Sequence, residues 1–130
     1  MANIQVPVSP GEVLDKITIL EIKSERMKDP EKVANVRVEL GLLQDTWAQA
    51  VTEDDTIRDL HAQLKEINEA LWEIEDDIRD KERVKEFDER FIELARAVYF
   101  TNDKRSQVKK QLNLHLGSQI IEEKSYQDYS

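Results

Sequence analysis

Residues 57–100 read IRDLHAQLKEINEALWEIEDDIRDKERVKEFDERFIELARAVYF. In the first half, Ile57, Leu60, Leu64, Ile67, Leu71, Ile74 and Ile78 recur at alternating steps of three and four. A helix at 3.6 residues per turn places all of these on one side, at coiled-coil period. The second half restarts the pattern as Val84, Phe87, Phe91, Leu94 and Val98. The step from Ile78 to Val84 is six residues, which fits neither a three-four repeat nor a straight helix. The spacing predicts two helices, 54–80 and 84–100, folded back on each other near Asp80–Arg83. The rival is one long helix that slips at the same place, because Asp80-Lys81-Glu82-Arg83 contains no turn residue.

Charge favours the hairpin. Folding back near residue 82 sets Asp59, Asp55 and Glu53 near Lys104, Arg105, Lys109 and Lys110; Glu73 falls near Arg90, and Glu66 near Arg96. Exposed pairs of this kind contribute only a few tenths of a kcal/mol each, so they select register and add little stability.

Outward toward the N-terminus, Thr52, Asp54 and Asp55 are cap candidates for the helix at 54–80. Before it, Val33, Val36, Leu40, Leu43 and Trp47 mark a helix at 30–51, opened by Asp29-Pro30. Ser9-Pro10-Gly11-Glu12 opens another at 10–28, with Ser as N-cap and Glu three residues on. Its stripe of Val13, Ile17, Leu20 and Met27 is widened by Leu14, Ile19 and Ile22, as in a central helix packed on two sides. Ile4, Val6 and Val8 alternate around Pro7 in an extended arm, 1–9, or a short edge strand. Toward the C-terminus the pattern lapses at Thr101 and Arg105. A fifth helix at 102–116 is expected, capped by Thr101 or Asn102 and ended by Gly117, with a polar tail at 117–130. Ile120, Ile121, Tyr126 and Tyr129 are the residues able to pin that tail. The expected fold is a single all-α domain: an antiparallel bundle of four to five helices with coiled-coil-like hairpins.

At 130 residues the chain supports one core. Charged residues make up 36%, as in long helices with wide solvated faces. The net charge of −9 resides in Glu53–Glu89, where 15 acids meet 6 bases. That balance argues against nucleic acid and against anionic membrane surfaces, which require a basic patch. Cysteine is absent, which excludes disulfides and thiolate chemistry and fits a cytoplasmic protein. No signal peptide and no membrane span is read.

Glu66 and Glu69, then Glu73 and Asp76, form E-x-x-E and E-x-x-D pairs of the kind that hold Mg²⁺ in helical nucleotide pyrophosphohydrolases. Those enzymes place the pairs on facing helices. Here both lie on one helix, so a solvated acidic face is the reading preferred, with no metal and no cofactor. His61 and His115 lack a second ligand at metal spacing. Arg105 falls at a core-facing position, where charge is costly unless paired. It is read as exposed or salt-bridged, or else as part of a polar pocket with Glu21, Arg96, Asn102 and Asp103. Such a pocket resembles, only in kind, that of helical chorismate mutases. Trp72, off the main stripe, requires cover from the first helix or from a second subunit.

Three stretches carry a wider resemblance. They are Ser9-Pro10-Gly11-Glu12-Val13-Leu14-Asp15-Lys16-Ile17-Thr18-Ile19-Leu20-Glu21-Ile22-Lys23; Phe91-Ile92-Glu93-Leu94-Ala95-Arg96-Ala97-Val98-Tyr99 with Asn102, Asp103 and Arg105; and Gly117-Ser118 with Glu122-Glu123-Lys124-Ser125-Tyr126. Together they resemble a family of small uncharacterised helical proteins of bacteria and phages, classed as a domain of unknown function. The resemblance implies no activity or cofactor. It directs attention to Lys16, Glu21, Lys23, Arg96, Asn102, Asp103, Arg105, Glu122, Glu123, Lys124 and Tyr126 as binding residues. The function expected is a protein–protein interaction or adaptor module, with a protein partner and a homodimer. The alternative is a small-molecule- or Mg-dependent helical enzyme built on the polar pocket.

Overall fold

The computed structural model describes residues 3–129; the first two residues of the expected arm and the last of the tail lie outside the described residues. Among the described residues there are four helices and no strand: α1 (Pro10–Arg26), α2 (Pro30–Ala50), α3 (Asp55–Arg83) and α4 (Glu89–His115). Each begins on a side chain that satisfies a free backbone N–H. Ser9 accepts from Glu12 at 3.2 Å, Asp29 from Glu31 at 3.0 Å, Asp54 from Ile57 at 2.8 Å and Asp88 from Phe91 at 3.0 Å. A cap of this kind is worth about 1 kcal/mol. The all-α antiparallel bundle is the observed architecture.

α3 and α4 form the hairpin. His115 meets Asp54 at 2.8 Å near one end, and Arg90 approaches Asp77 at 3.9 Å near the other. The single long helix is therefore ruled out. The turn lies later than expected: α3 continues to Arg83, and Val84 and Phe87, assigned to the second helix, belong to the connection and are exposed. Lys85 adopts φ 56°, a left-handed conformation usually left to glycine. Backbone bonds from Lys85 to Glu82 (3.1 Å) and from Glu86 to Lys81 (3.0 Å) close the bend. Lys81 clasps Glu86 and Asp88, each at 2.9 Å. A search for Gly, Pro or Asn misses a turn built this way.

The later turn shifts the register, and the expected charge pairs do not form. Arg105 binds Asp15, Lys109 binds Glu12 and Glu122, and Lys110 approaches Glu123. Glu73 binds Arg26, while Arg90 takes Asp77 and Glu93. The two helices expected at 84–100 and 102–116 are one, α4. No breaker interrupts 89–115, and the apolar pattern lapses at Thr101 and Arg105 because a polar face of α1 packs there.

α1 runs antiparallel to α4. Successive contacts descend as Gly11 to Asn113, Glu12 to Lys109 and Asp15 to Arg105. Gly11 permits this approach: a Cβ there would lie 2.7 Å from the Lys109 carbonyl and 2.9 Å from Asn113 Oδ1. α2 folds back along α1, with Lys16 to Glu39 (2.9 Å) across them. One core joins all four helices through Leu14, Ile17, Trp47, Ile57, Leu60, Leu64, Val108 and Leu112. Trp47 donates its indole N–H to Glu53 at 3.0 Å.

At ~1.5 Å per residue α1 is roughly 26 Å long and α3 roughly 44 Å. α1 therefore covers only part of the α3–α4 hairpin. At the far end Val84, Phe87 and Ile92 stay more than half exposed. The arm at 3–9 is extended, with Ile4, Val6 and Val8 exposed. Gly117, at φ 64°, ends α4, and Ser118 N–H returns to the Asn113 carbonyl at 2.9 Å. The tail has no regular structure, yet Tyr129 packs on Tyr99 and Phe100 and donates to Asp103 at 2.6 Å.

Candidate functional site

A buried carboxylate organises the polar interior. Asp15, 1% exposed, shares the inward face of α1 with Leu14, Thr18 and Ile22. A carboxylate removed from water this completely needs a partner and full hydrogen bonding. Arg105 supplies both: Nε donates to Asp15 Oδ1 at 2.9 Å, and NH2 donates to Oδ2. This two-point contact, with the proton-bearing form favoured by Asp15, holds the Arg105 pKa above its ordinary value even though burial opposes it. From α3, Asn68 Nδ2 donates to Asp15 Oδ1 and to Thr18 Oγ1, each at 2.9 Å. No buried side-chain polar atom lacks a partner among the described residues.

One turn along α4, Lys109 is buried against the start of α1. Burial works to lower its pKa. Hydrogen bonds to Glu12 (2.8 Å) and Glu122 (2.9 Å) outweigh that and raise it. The two anchors differ in kind. Glu12 belongs to a helix, whereas Glu122 comes from the irregular tail with its side chain 60% exposed.

Arg105 and Lys109 open onto a cavity of 470 Å³ between α1, α4 and the tail. Asn102, Asp103, Ser106, Lys124, Tyr99 and Tyr126 complete most of its wall. Asn102 and Ser106 are half-buried and make no side-chain hydrogen bond with the described residues. Asp103 receives Lys124 at 3.5 Å and the Tyr129 hydroxyl; that hydroxyl bond is the main reason the Tyr129 pKa is pushed up to about 12.

Of the residues singled out in the sequence, Asn102, Asp103, Arg105, Glu122, Lys124 and Tyr126 meet at this cavity. The others are placed elsewhere. Lys16 pairs with Glu39 across α1 and α2. Glu21 faces α3, where it binds His61 Nε2 at 2.8 Å and, by that hydrogen bond first, raises the His61 pKa. Arg96 lies over the Phe100 ring, 5.6 Å from its centre. Glu123 approaches Lys110 at 3.9 Å. Lys23 lines a separate groove with Trp72, Ile19 and Ile22. Of the acidic pairs of α3, Glu69 and Glu73 both take Arg26, at 3.4 Å each. Among the described residues no three His, Cys, Asp or Glu gather so as to hold a metal ion.

The profile of a family of unknown function, DUF6165, matches residues 4–129. The chain belongs to that family. The match embraces every helix, the tail residues at the cavity and both residues of the Asp15–Arg105 pair. No curated protein and no solved structure matches the chain. No helix among the described residues is long and apolar enough to cross a membrane.

Proposed function

We propose that this member of DUF6165 is a small-molecule-binding protein whose cavity takes a small hydroxylated anion, a carboxylate or a phosphate. The observation that carries this reading is the set of groups on one side of α4. Arg105 and Lys109 present cationic donors one turn apart, and the Asn102 and Ser106 side chains present neutral donors and acceptors without partners among the described residues. Bundle interiors are more cheaply filled with apolar side chains, and replacing a buried ion pair by them is often neutral or stabilising. Fixed charges converging on a cavity are a general mark of a binding site.

The cations already have partners, and the strength of those partnerships decides where a ligand fits. Separating Arg105 from Asp15 would strand a buried carboxylate. Separating Glu122 from Lys109 returns an exposed tail carboxylate to water and leaves Lys109 paired with Glu12, so it costs less than stranding Asp15. An incoming anion therefore displaces Glu122 and takes its place on Lys109, with hydroxyls on Asn102 and Ser106. Thermal unfolding with inorganic phosphate, succinate and glucose 6-phosphate tests this. A ligand at 100 times its Kd stabilises by ~2.7 kcal/mol. The rise is expected in the parent chain, largest for glucose 6-phosphate, and that preference is absent in the Asn102→Ala/Ser106→Ala variant.

A second reading, as an adaptor for a protein partner or as a homodimer, is favoured by one feature. Val84, Phe87 and Ile92 expose apolar surface beyond the reach of α1, and Phe87 stacks edge-on upon Phe91, 5.1 Å between centres. Sedimentation of the parent chain and of Phe87→Glu tests the homodimer: a dimer lost on substitution supports it, and a monomer in both removes it.

A further inference from the structure

Across the Asp15–Arg105–Asn68 wall from the proposed anion site lies a groove of 360 Å³ between α1 and α3. Ile19, Ile22 and Leu71 form its apolar part, with Trp72 half-buried at the side. The polar groups here are the reverse of those in the other cavity. Arg79 is neutralised by Glu75 at 3.1 Å, and Arg105 by Asp15. The Lys23 ammonium, the Asp76 carboxylate and the Trp72 indole N–H make no hydrogen bond or ion pair with the described residues. One free ammonium, one free carboxylate and one free aromatic face line the same groove.

Such a lining is complementary to a zwitterion that carries an apolar ring. We infer that the groove binds a free aromatic α-amino acid. The ring lies against Trp72 and the α1 isoleucines, the ligand carboxylate faces Lys23, and its ammonium faces Asp76. An aromatic pair with offset or edge-on geometry adds to plain burial. The two opposite charges supply orientation, since a reversed ligand would set like charges together. This site does not depend on the anion cavity, because no tail residue contributes to it and the two share only the paired Arg105.

The test compares L-phenylalanine, 3-phenylpropionate and phenethylamine by isothermal titration, with quenching of tryptophan fluorescence as a second readout. The first ligand has both charges and the others one each. L-Phenylalanine is expected to bind most tightly, by roughly tenfold over either analogue, the scale of one charge-assisted contact. Lys23→Met removes the advantage over phenethylamine and leaves the advantage over phenylpropionate. Asp76→Asn does the converse. Neither side chain has a partner among the described residues, so both variants fold as the parent does, which circular dichroism checks. Ligand-dependent quenching disappears in Trp72→Phe, whose remaining indole, Trp47, is buried in the core. Equal affinity for the three ligands, no binding of any of them, or unchanged selectivity in the variants overturns the inference. A dimer that dissociates on Trp72→Glu also overturns it, by assigning the groove to a second copy of the chain.

Discussion

Replacing Arg105 by Met tests the polar interior most severely. The change keeps the length of the stem and removes the guanidinium. Asp15 then loses two of its donors and keeps only Asn68, with its carboxylate still sealed from water. Breaking one side of a buried ion pair costs about 3–5 kcal/mol, because the remaining charge is uncompensated. Arg105 is itself 30% exposed on its side chain, so water reaches the vacated space and the lower end, about 3 kcal/mol, is expected. At this chain length about 1 kcal/mol moves Tm by roughly 3–4 °C, so the midpoint should fall by roughly 10 °C. Asp15→Leu/Arg105→Met removes both charges. Asn68 keeps Thr18 as a partner and loses one hydrogen bond to the carboxylate, about 1–2 kcal/mol. The double variant should therefore be more stable than Arg105→Met by about 1–2 kcal/mol in chemical denaturation, and the single changes should not add. A cost below about 1 kcal/mol for Arg105→Met, with additive single changes, would refute the argument that Arg105 is held by a buried partner.

Other consequences concern pH, packing and the turn. His61 has its pKa raised by Glu21, so this pair stabilises the fold fully below the unfolded value of about 6.5, and the contribution is lost as pH rises through the folded value. The fall in Tm from pH 6 to pH 8 should shrink in His61→Gln. Gly11→Ala forces a Cβ against the Lys109 carbonyl and should destabilise by about 1–3 kcal/mol in urea unfolding. Lys85→Gly relieves the left-handed backbone at the hairpin turn and should be neutral to stabilising by up to ~1 kcal/mol, whereas Lys85→Val should destabilise. One tyrosine should titrate at about 12 by phenolate absorbance, and Asp103→Asn should return it toward the ordinary range. An unchanged titration would mean that the tail is not docked through Tyr129.

The helices were legible because their signals are local. Caps at Ser9, Asp29 and Asp54 and the three-four repeat from Ile57 to Ile78 are set by neighbours in the chain, and the structure keeps them. What failed was set by distant contacts. Thr101 and Arg105 looked like the end of a helix because an apolar partner was assumed, whereas the face opposite is Asp15 on α1. The turn was misplaced because Lys85 takes a conformation that side chains rarely adopt. At the cavity, the sequence points to Arg105, salt-bridged or in a pocket, and to the tail, but it groups Arg105 with Glu21 and Arg96, which the structure places elsewhere. Asp15, Glu12, Ser106 and Lys109 went unread. A signal for Asp15 is present in the sequence: an acidic residue between Leu14, Thr18 and Ile22, on a helix read as packed on two sides, must have a cation facing it, and Arg105 is the cation at a core-facing position.

The measurement closest to the central claim is a titration with glucose 6-phosphate, inorganic phosphate and succinate, followed by amide NMR shifts in the parent chain and in Asn102→Ala/Ser106→Ala. The account predicts saturable shifts at Asn102, Ser106 and Lys109 and in the tail around Glu122, with a preference for glucose 6-phosphate over succinate that the double substitution abolishes without loss of stability. Shifts absent for all three ligands, or spread over the surface and unchanged in the variant, would contradict it.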